Sequence, residues 1–100
     1  MLTKETLEQL LQQHQAHFAA KYGLKKLALF GSYALGKPTE TSDVDLLVEF
    51  DRPIGLRFME FADELEGVLG QKVDLLTEAG LRKMRSAEVS AEISRSLEYV

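Results

Sequence analysis

Two aspartates stand at the start of an otherwise aliphatic segment, and any fold of this chain has to accommodate them. Residues 27–30 form an apolar run that ends at Gly31 and Ser32, and a second run begins with Asp43 and Asp45. Aspartate is depleted in strands, because its short side chain competes for backbone hydrogen bonds and packs poorly. Alternate strand residues share a face about 6.5–7 Å apart, and two carboxylates placed in this way repel each other. The pattern therefore indicates that a cation binds there.

The overall composition favours one soluble domain over residues 1–100 and limits its partners. A 45% hydrophobic and 28% charged chain of 100 residues is ordinary for a small globular protein. We expect neither a membrane span nor secretion, because there is no apolar run near 18 residues and no leader pattern. The absence of cysteine fits a cytoplasmic location. A net charge of −4 argues against extended nucleic-acid binding, but a single nucleotide could bind with magnesium.

Hydrophobic periodicity predicts a small mixed β-sheet with helices packed on it, an α/β (α+β) fold. Gly23 and Gly70 are placed to end helices in the left-handed conformation, and Thr77 is placed to cap the start of one. The predicted helices cover residues 3–22, 56–69 and, weakly, 79–96, with a helical turn at 33–36. The predicted strands cover residues 24–30, 43–50, 72–76 and a short 97–100, and residues 37–41 form a loop.

Asp74 is a third aspartate inside a predicted strand, where it is flanked by Val73 and Leu75. If this strand lies beside that of Asp43 and Asp45, about 4.8 Å separates the two backbones and the three carboxylates could converge. Carboxylate oxygens are hard ligands that suit Mg²⁺ or Mn²⁺. Two such ions about 3.5–4 Å apart would promote in-line displacement at phosphorus.

Gly31 and Ser32 have the properties of a phosphate-binding turn. Glycine lets the backbone approach a phosphate closely, and the serine hydroxyl can donate a hydrogen bond. Backbone N–H groups at the start of a helical turn there would also favour an anion. Opposite the acidic residues, this turn predicts a nucleoside triphosphate site.

Taken together, these motifs resemble the signature of the DNA polymerase β-type nucleotidyltransferases. Gly31 and Ser32 are followed after ten residues by Asp43 and Asp45, and later by Asp74 in an aliphatic strand. The chain length resembles that of the minimal nucleotidyltransferases of bacteria and archaea. The resemblance is strongest over residues 27–77 and implies the polymerase β-type core fold.

The resemblance also implies roles for these residues. Asp43 and Asp45 would bind two Mg²⁺ ions, and Asp74 would complete the metal site and assist deprotonation of the attacking hydroxyl. Gly31 and Ser32 would hold the β- and γ-phosphates. The implied reaction moves AMP from ATP to a hydroxyl group and releases pyrophosphate. The implied biological role is that of an antitoxin, with a tyrosine of a helical HEPN-domain ribonuclease as the acceptor.

The chain departs from its relatives at Leu35. Many of them read Gly-Ser-x-Ala-Arg-Gly, so Leu35 removes a cation that could neutralise triphosphate charge, and Lys37 is a nearby residue that could compensate. We therefore include Lys37 among the predicted nucleotide-binding residues. The departure also motivates an alternative function, a catalytically weak or inactive antitoxin that neutralises a helical partner by binding.

Other side-chain patterns have ordinary structural interpretations, which we favour. Tyr33 is expected to pack beside the site, although it could stack on a base. The pair His14 and His17 lacks a third metal ligand. The basic run of Arg82, Lys83 and Arg85 fits a solvated helix end, or a contact to triphosphate or to an acidic partner. The stripe of Phe58, Phe61 and Leu65 fits the core or, in part, a docking surface.

Overall fold

A computed structural model describes residues 2–39 and 42–100, and its helices and strands follow the predicted order. The predicted loop covers residues 37–41, and its positions 40 and 41 lie outside the described residues. The helices are α1 (Lys4–Tyr22), α2 (Gly31–Ala34), α3 (Arg57–Leu69), α4 (Glu78–Arg82) and α5 (Ala87–Ser96). The strands are β1 (Leu24–Phe30), β2 (Val44–Phe50), β3 (Val73–Thr77) and β4 (Glu98–Tyr99).

The sheet is mixed, with the strand order β3-β2-β1-β4. β1 runs antiparallel to both β2 and β4, whereas β2 runs parallel to β3. A parallel pair needs a long crossover connection, and α3 lies in the segment that joins β2 to β3. The predicted fold class is confirmed.

The main core lies between one face of the sheet and helices α1 and α3. Phe61 of α3 is fully buried, and its ring centroid lies 5.2 Å from that of Phe18 and 5.3 Å from that of Tyr22. The core interpretation is therefore confirmed for Phe61 and Leu65, whereas Phe58 is half-buried against Phe50. The sheet contributes Leu27, Leu29, Val44, Leu46, Val48 and Val73 to this core.

Local capping sets several helix ends, and the two glycine ends and the Thr77 cap are the predicted ones. The Thr3 side chain accepts a hydrogen bond from the backbone N–H of Thr6 at the start of α1. Gly23 and Gly70 end α1 and α3 with φ of 79° and 65°, the left-handed conformation that glycine adopts without a Cβ clash. The Thr77 side chain accepts from the N–H of Gly80 and begins α4, which confirms the predicted cap.

Most boundaries lie within one residue of the predicted ones, and two differences are larger. The helical turn after β1 begins at Gly31 rather than at residue 33. The C-terminal helix is divided into α4 and α5, because the Ser86 side chain caps a new helix by accepting from the N–H of Val89. Within residues 2–39 and 42–100, no helix is long and apolar enough to cross a membrane.

Candidate active site

The parallel pairing of β2 and β3 places Asp45 directly beside Asp74. Paired residues of neighbouring strands point to the same face, and their backbones lie about 4.8 Å apart. The preceding pair, Val44 and Val73, belongs to the main core, so the two aspartates face away from it. The sequence analysis required that the strand of Asp74 lie beside the strand of Asp45, with both side chains on one face. The strand pairing meets this requirement.

Asp74 and Asp43 both repel the carboxylate of Asp45 electrostatically. Burial raises the pKa of the Asp45 carboxyl above its ordinary value of 3.8, and repulsion from Asp74 and then from Asp43 raises it further. Asp43 and Asp45 are half-buried, whereas Asp74 is exposed. Within the described part of the chain, none of the three accepts a hydrogen bond or forms an ion pair. No described residue therefore offsets their negative charge through a direct contact.

This donor set fits a divalent cation in its chemistry, although the side chains are not gathered around one point. Among residues 2–39 and 42–100, no group of three or more His, Cys, Asp and Glu side chains is arranged to hold a metal ion. Asp43, Asp45 and Asp74 nevertheless provide hard oxygen ligands at the start of two adjacent strands.

Gly31 lies against the Asp45 carboxylate. The preceding residue, Phe30, pairs with Asp45 across β1 and β2, and Gly31 itself has a φ of 74°. A Cβ at this position would overlap the Asp45 carboxylate. Both the backbone conformation and the close approach therefore require glycine. Ser32 follows in α2, so the predicted phosphate turn begins beside the Asp45 carboxylate.

A cleft of about 610 Å³ opens beside Gly31 and Ser32, within the usual size range of small-molecule sites. Its opposite wall comes from α5, which contacts both β1 and α2. Arg95 of α5 lines this cleft and is a residue that the sequence analysis missed, because it is remote from the motif along the chain. The remaining lining residues are Phe30, Leu35, Glu92, Ile93 and Ser96.

Lys37 does not line this cleft, although its backbone N–H donates to the carbonyl of Ser32 at 2.9 Å. Its side chain is exposed, and Lys37 remains close to the turn in sequence. A second cleft, of about 590 Å³, lies at the other end of β2 and β3 and includes Arg82. Arg82 also pairs with Glu78 at 3.6 Å, so this part of the basic run is directed away from Ser32.

Tyr33 and the histidine pair have structural partners. Tyr33 is fully buried, and its hydroxyl accepts a hydrogen bond from the side-chain amide of Gln71 at 2.6 Å. The packing interpretation is confirmed, since a buried ring cannot stack on a base. His14 Nδ1 lies 2.9 Å from the Leu10 carbonyl oxygen, whereas His17 Nε2 lies 2.5 Å from Glu64.

The fold is that of a nucleotidyltransferase, and comparison with known proteins shows the family. Residues 7–99 match the model of the nucleotidyltransferase domain family. Because this match spans nearly all of the chain, the chain belongs to that family. The predicted enzyme class is therefore confirmed.

The similar proteins are small nucleotidyltransferases. A candidate protein adenylyltransferase of Methanocaldococcus jannaschii is 39% identical over 100% of both chains. The protein adenylyltransferase MntA of Thermococcus cleftensis is 37% identical over 93% of this chain and 95% of its own. Among solved structures, a candidate minimal nucleotidyltransferase is 30% identical with a TM-score of 0.67, covering 92% of this chain and 93% of that one. A toxin–antitoxin structure with AMP-PNP shares the fold, with a TM-score of 0.62, 24% identity and coverage of 98% and 72%.

Proposed function

We propose that this chain transfers AMP from ATP to a protein hydroxyl group and releases pyrophosphate. The observation that carries the proposal is the register of Asp45 with Asp74, at the place where Gly31 approaches the Asp45 carboxylate. This arrangement joins uncompensated acidic groups to a glycine–serine turn, as the binding of a metal–polyphosphate complex requires. Family membership supports the reaction, and relatives named as protein adenylyltransferases support a protein acceptor.

In this proposal Asp43, Asp45 and Asp74 bind two Mg²⁺ ions, which Mn²⁺ could replace. When bound, the ions would offset triphosphate charge and stabilise the entering and leaving oxygens at phosphorus. The mutual repulsion that raises the pKa of Asp45 is a reason for cations to bind there, because a cation would relieve it. Gly31 gives the phosphates room, the Ser32 hydroxyl donates to a phosphate oxygen, and Lys37 adds nearby positive charge.

The chain's own residues then account for the proton and the leaving group. The acceptor oxygen forms a bond to the α-phosphorus, while the bond from the α-phosphorus to the bridging oxygen of the β-phosphate breaks. Asp74 is the exposed member of the acidic set and is therefore accessible to a protein acceptor, whose hydroxyl proton it takes up. Ser32 helps hold the β- and γ-phosphates, which leave together as pyrophosphate.

The proposed acceptor is a tyrosine of a helical HEPN-type ribonuclease, so that the chain acts as an antitoxin. This finer assignment follows from the sequence resemblance to the minimal nucleotidyltransferases. A toxin–antitoxin pair is among the solved structures that share this fold. We further propose that residues 1–100 act as one catalytic domain, in the cytoplasm.

Titration with Mg·ATP, followed through backbone amide shifts, tests the nucleotide site. We expect shifts at residues 31–39 and 42–45 that are lost in the double variant Asp43→Asn/Asp45→Asn. Asp63→Asn is the control, because Asp63 is an exposed acidic residue of α3 outside the site. Unchanged amide shifts around Gly31 in the unsubstituted chain would refute the proposal. Mass spectrometry of a partner incubated with labelled ATP would then identify the modified residue.

Leu35 gives a specific reason to keep binding without catalysis as a second function. Its side chain is 65% exposed at the wall of the cleft, where it offers an apolar contact and no charge. A chain that binds without catalysing transfer would neutralise a helical partner by covering its surface. Copurification that is undiminished in Asp45→Asn/Asp74→Asn, together with no transfer of labelled AMP by the unsubstituted chain, would favour this function.

A further inference from the structure

Arg95 occupies a distinctive place in the cleft beside Ser32. It lies in the last turn of α5 and lines the cleft of about 610 Å³ together with Gly31 and Ser32. Among the described residues that line this cleft, Arg95 is the only positively charged one and Glu92 the only negatively charged one. Both residues lie on α5, which contacts α2 and β1.

The Arg95 side chain is available for a ligand. It is exposed, and within residues 2–39 and 42–100 it forms no hydrogen bond or ion pair. Arg57 and Arg82, in contrast, pair with acidic residues on their own helices. A guanidinium group presents a planar set of donors that matches two phosphate oxygens at once, and it remains charged at any physiological pH.

The other residues near the turn do not supply this charge to the cleft. Leu35 lines the cleft but is apolar, and Lys37 does not line it. We propose that Arg95 binds the polyphosphate of the nucleotide and thereby makes this cleft select a nucleoside triphosphate over a monophosphate. This inference rests on the proposed function and adds to it a residue outside the motif.

The test compares ATP and AMP affinities, measured by calorimetry in excess Mg²⁺, for the full chain and its variants. Arg95→Gln should weaken ATP binding about ten-fold, the effect of one lost charge-assisted hydrogen bond, and leave AMP binding unchanged. Arg95→Lys should recover part of the loss, because lysine keeps the charge without the planar fork. Glu92→Gln should strengthen ATP binding, because it removes the opposing charge from the same cleft.

Arg85→Gln is the matched control. Arg85 is exposed, lies between α4 and α5, and lines none of the clefts described above. Equal ATP affinity of Arg95→Gln and the unsubstituted chain would overturn the role of Arg95 and leave the proposed function standing. Equal losses in Arg85→Gln and Arg95→Gln, or equal losses of ATP and AMP binding, would also overturn it. Failure of the unsubstituted chain to bind ATP would overturn this inference and the proposed function together.

Discussion

Replacing Asp45 by asparagine should stabilise the metal-free protein at neutral pH. Burial and repulsion from Asp74 and Asp43 raise the pKa of this carboxyl in the folded chain. A group that binds its proton more tightly when folded lowers folding stability once it is ionised. Asparagine keeps the shape of the side chain beside Gly31 and removes the charge. After solvent screening, we expect a gain of about 0.5–1 kcal/mol in the free energy of unfolding, typical of a relieved like-charge pair.

Urea unfolding at pH 7 in EDTA measures this gain, and thermal unfolding provides a second reading. For a domain of this size, 1 kcal/mol corresponds to a shift of about 4–8 °C in Tm. The difference between Asp45→Asn and the unsubstituted chain should be largest above the folded-state pKa of Asp45. It should decline as the pH falls through that pKa, because protonated Asp45 no longer repels its neighbours.

Asp63→Asn makes the same change in net charge at an exposed position of α3 and should stay within about 0.5 kcal/mol of the unsubstituted chain. Adding Mg²⁺ should reverse the order of Asp45→Asn and the unsubstituted chain, because a ligand stabilises the folded chain that binds it. An Asp45→Asn chain that is less stable than the unsubstituted one in EDTA at pH 7 would refute the claim that uncompensated repulsion dominates this site.

Two further substitutions test the structure around the site and in α3. Gly31→Ala should destabilise the protein more than Gly36→Ala in urea unfolding. Both positions have positive φ, which costs an alanine about 1–2 kcal/mol, but a Cβ overlaps the Asp45 carboxylate only at Gly31. Equal costs would contradict the close approach. Glu64→Gln should destabilise the protein above about pH 4.5 and progressively less toward pH 2, since a hydrogen bond from Lys21, above all, holds the pKa of Glu64 at about 2. A pH-independent difference in the free energy of unfolding would contradict this.

Much of the fold could be predicted because it depends on local signals. β1 occupies the predicted residues 24–30, and Gly23 ends the preceding helix as expected. Helix caps and left-handed helix ends depend on only a few neighbouring residues, so they can be recognised from the sequence. The secondary structure of the C-terminal third was harder to predict, because the sequence there is only weakly periodic and the cap at Ser86 was not recognised.

The sequence allowed acidic and glycine–serine site residues to be proposed, but not the residues that line the neighbouring cleft. Asp43, Asp45 and Asp74 could be proposed from their unusual positions in aliphatic strands. Lys37 was proposed because it is close to Ser32 along the chain, yet it does not line the cleft. Arg95 lines the cleft but is distant in sequence, and no local pattern distinguishes it from other exposed arginines.

The amino-acid sequence indicated the family and the order of helices and strands, and it allowed the acidic and glycine–serine site residues to be proposed. These properties depend on side-chain chemistry and short-range periodicity. The tertiary structure decided that Asp45 pairs with Asp74, that Gly31 lies against Asp45, and that α5 forms the opposite wall of the cleft. Strand register and the docking of α5 result from packing between segments far apart in the chain, and local patterns do not specify which residues then meet.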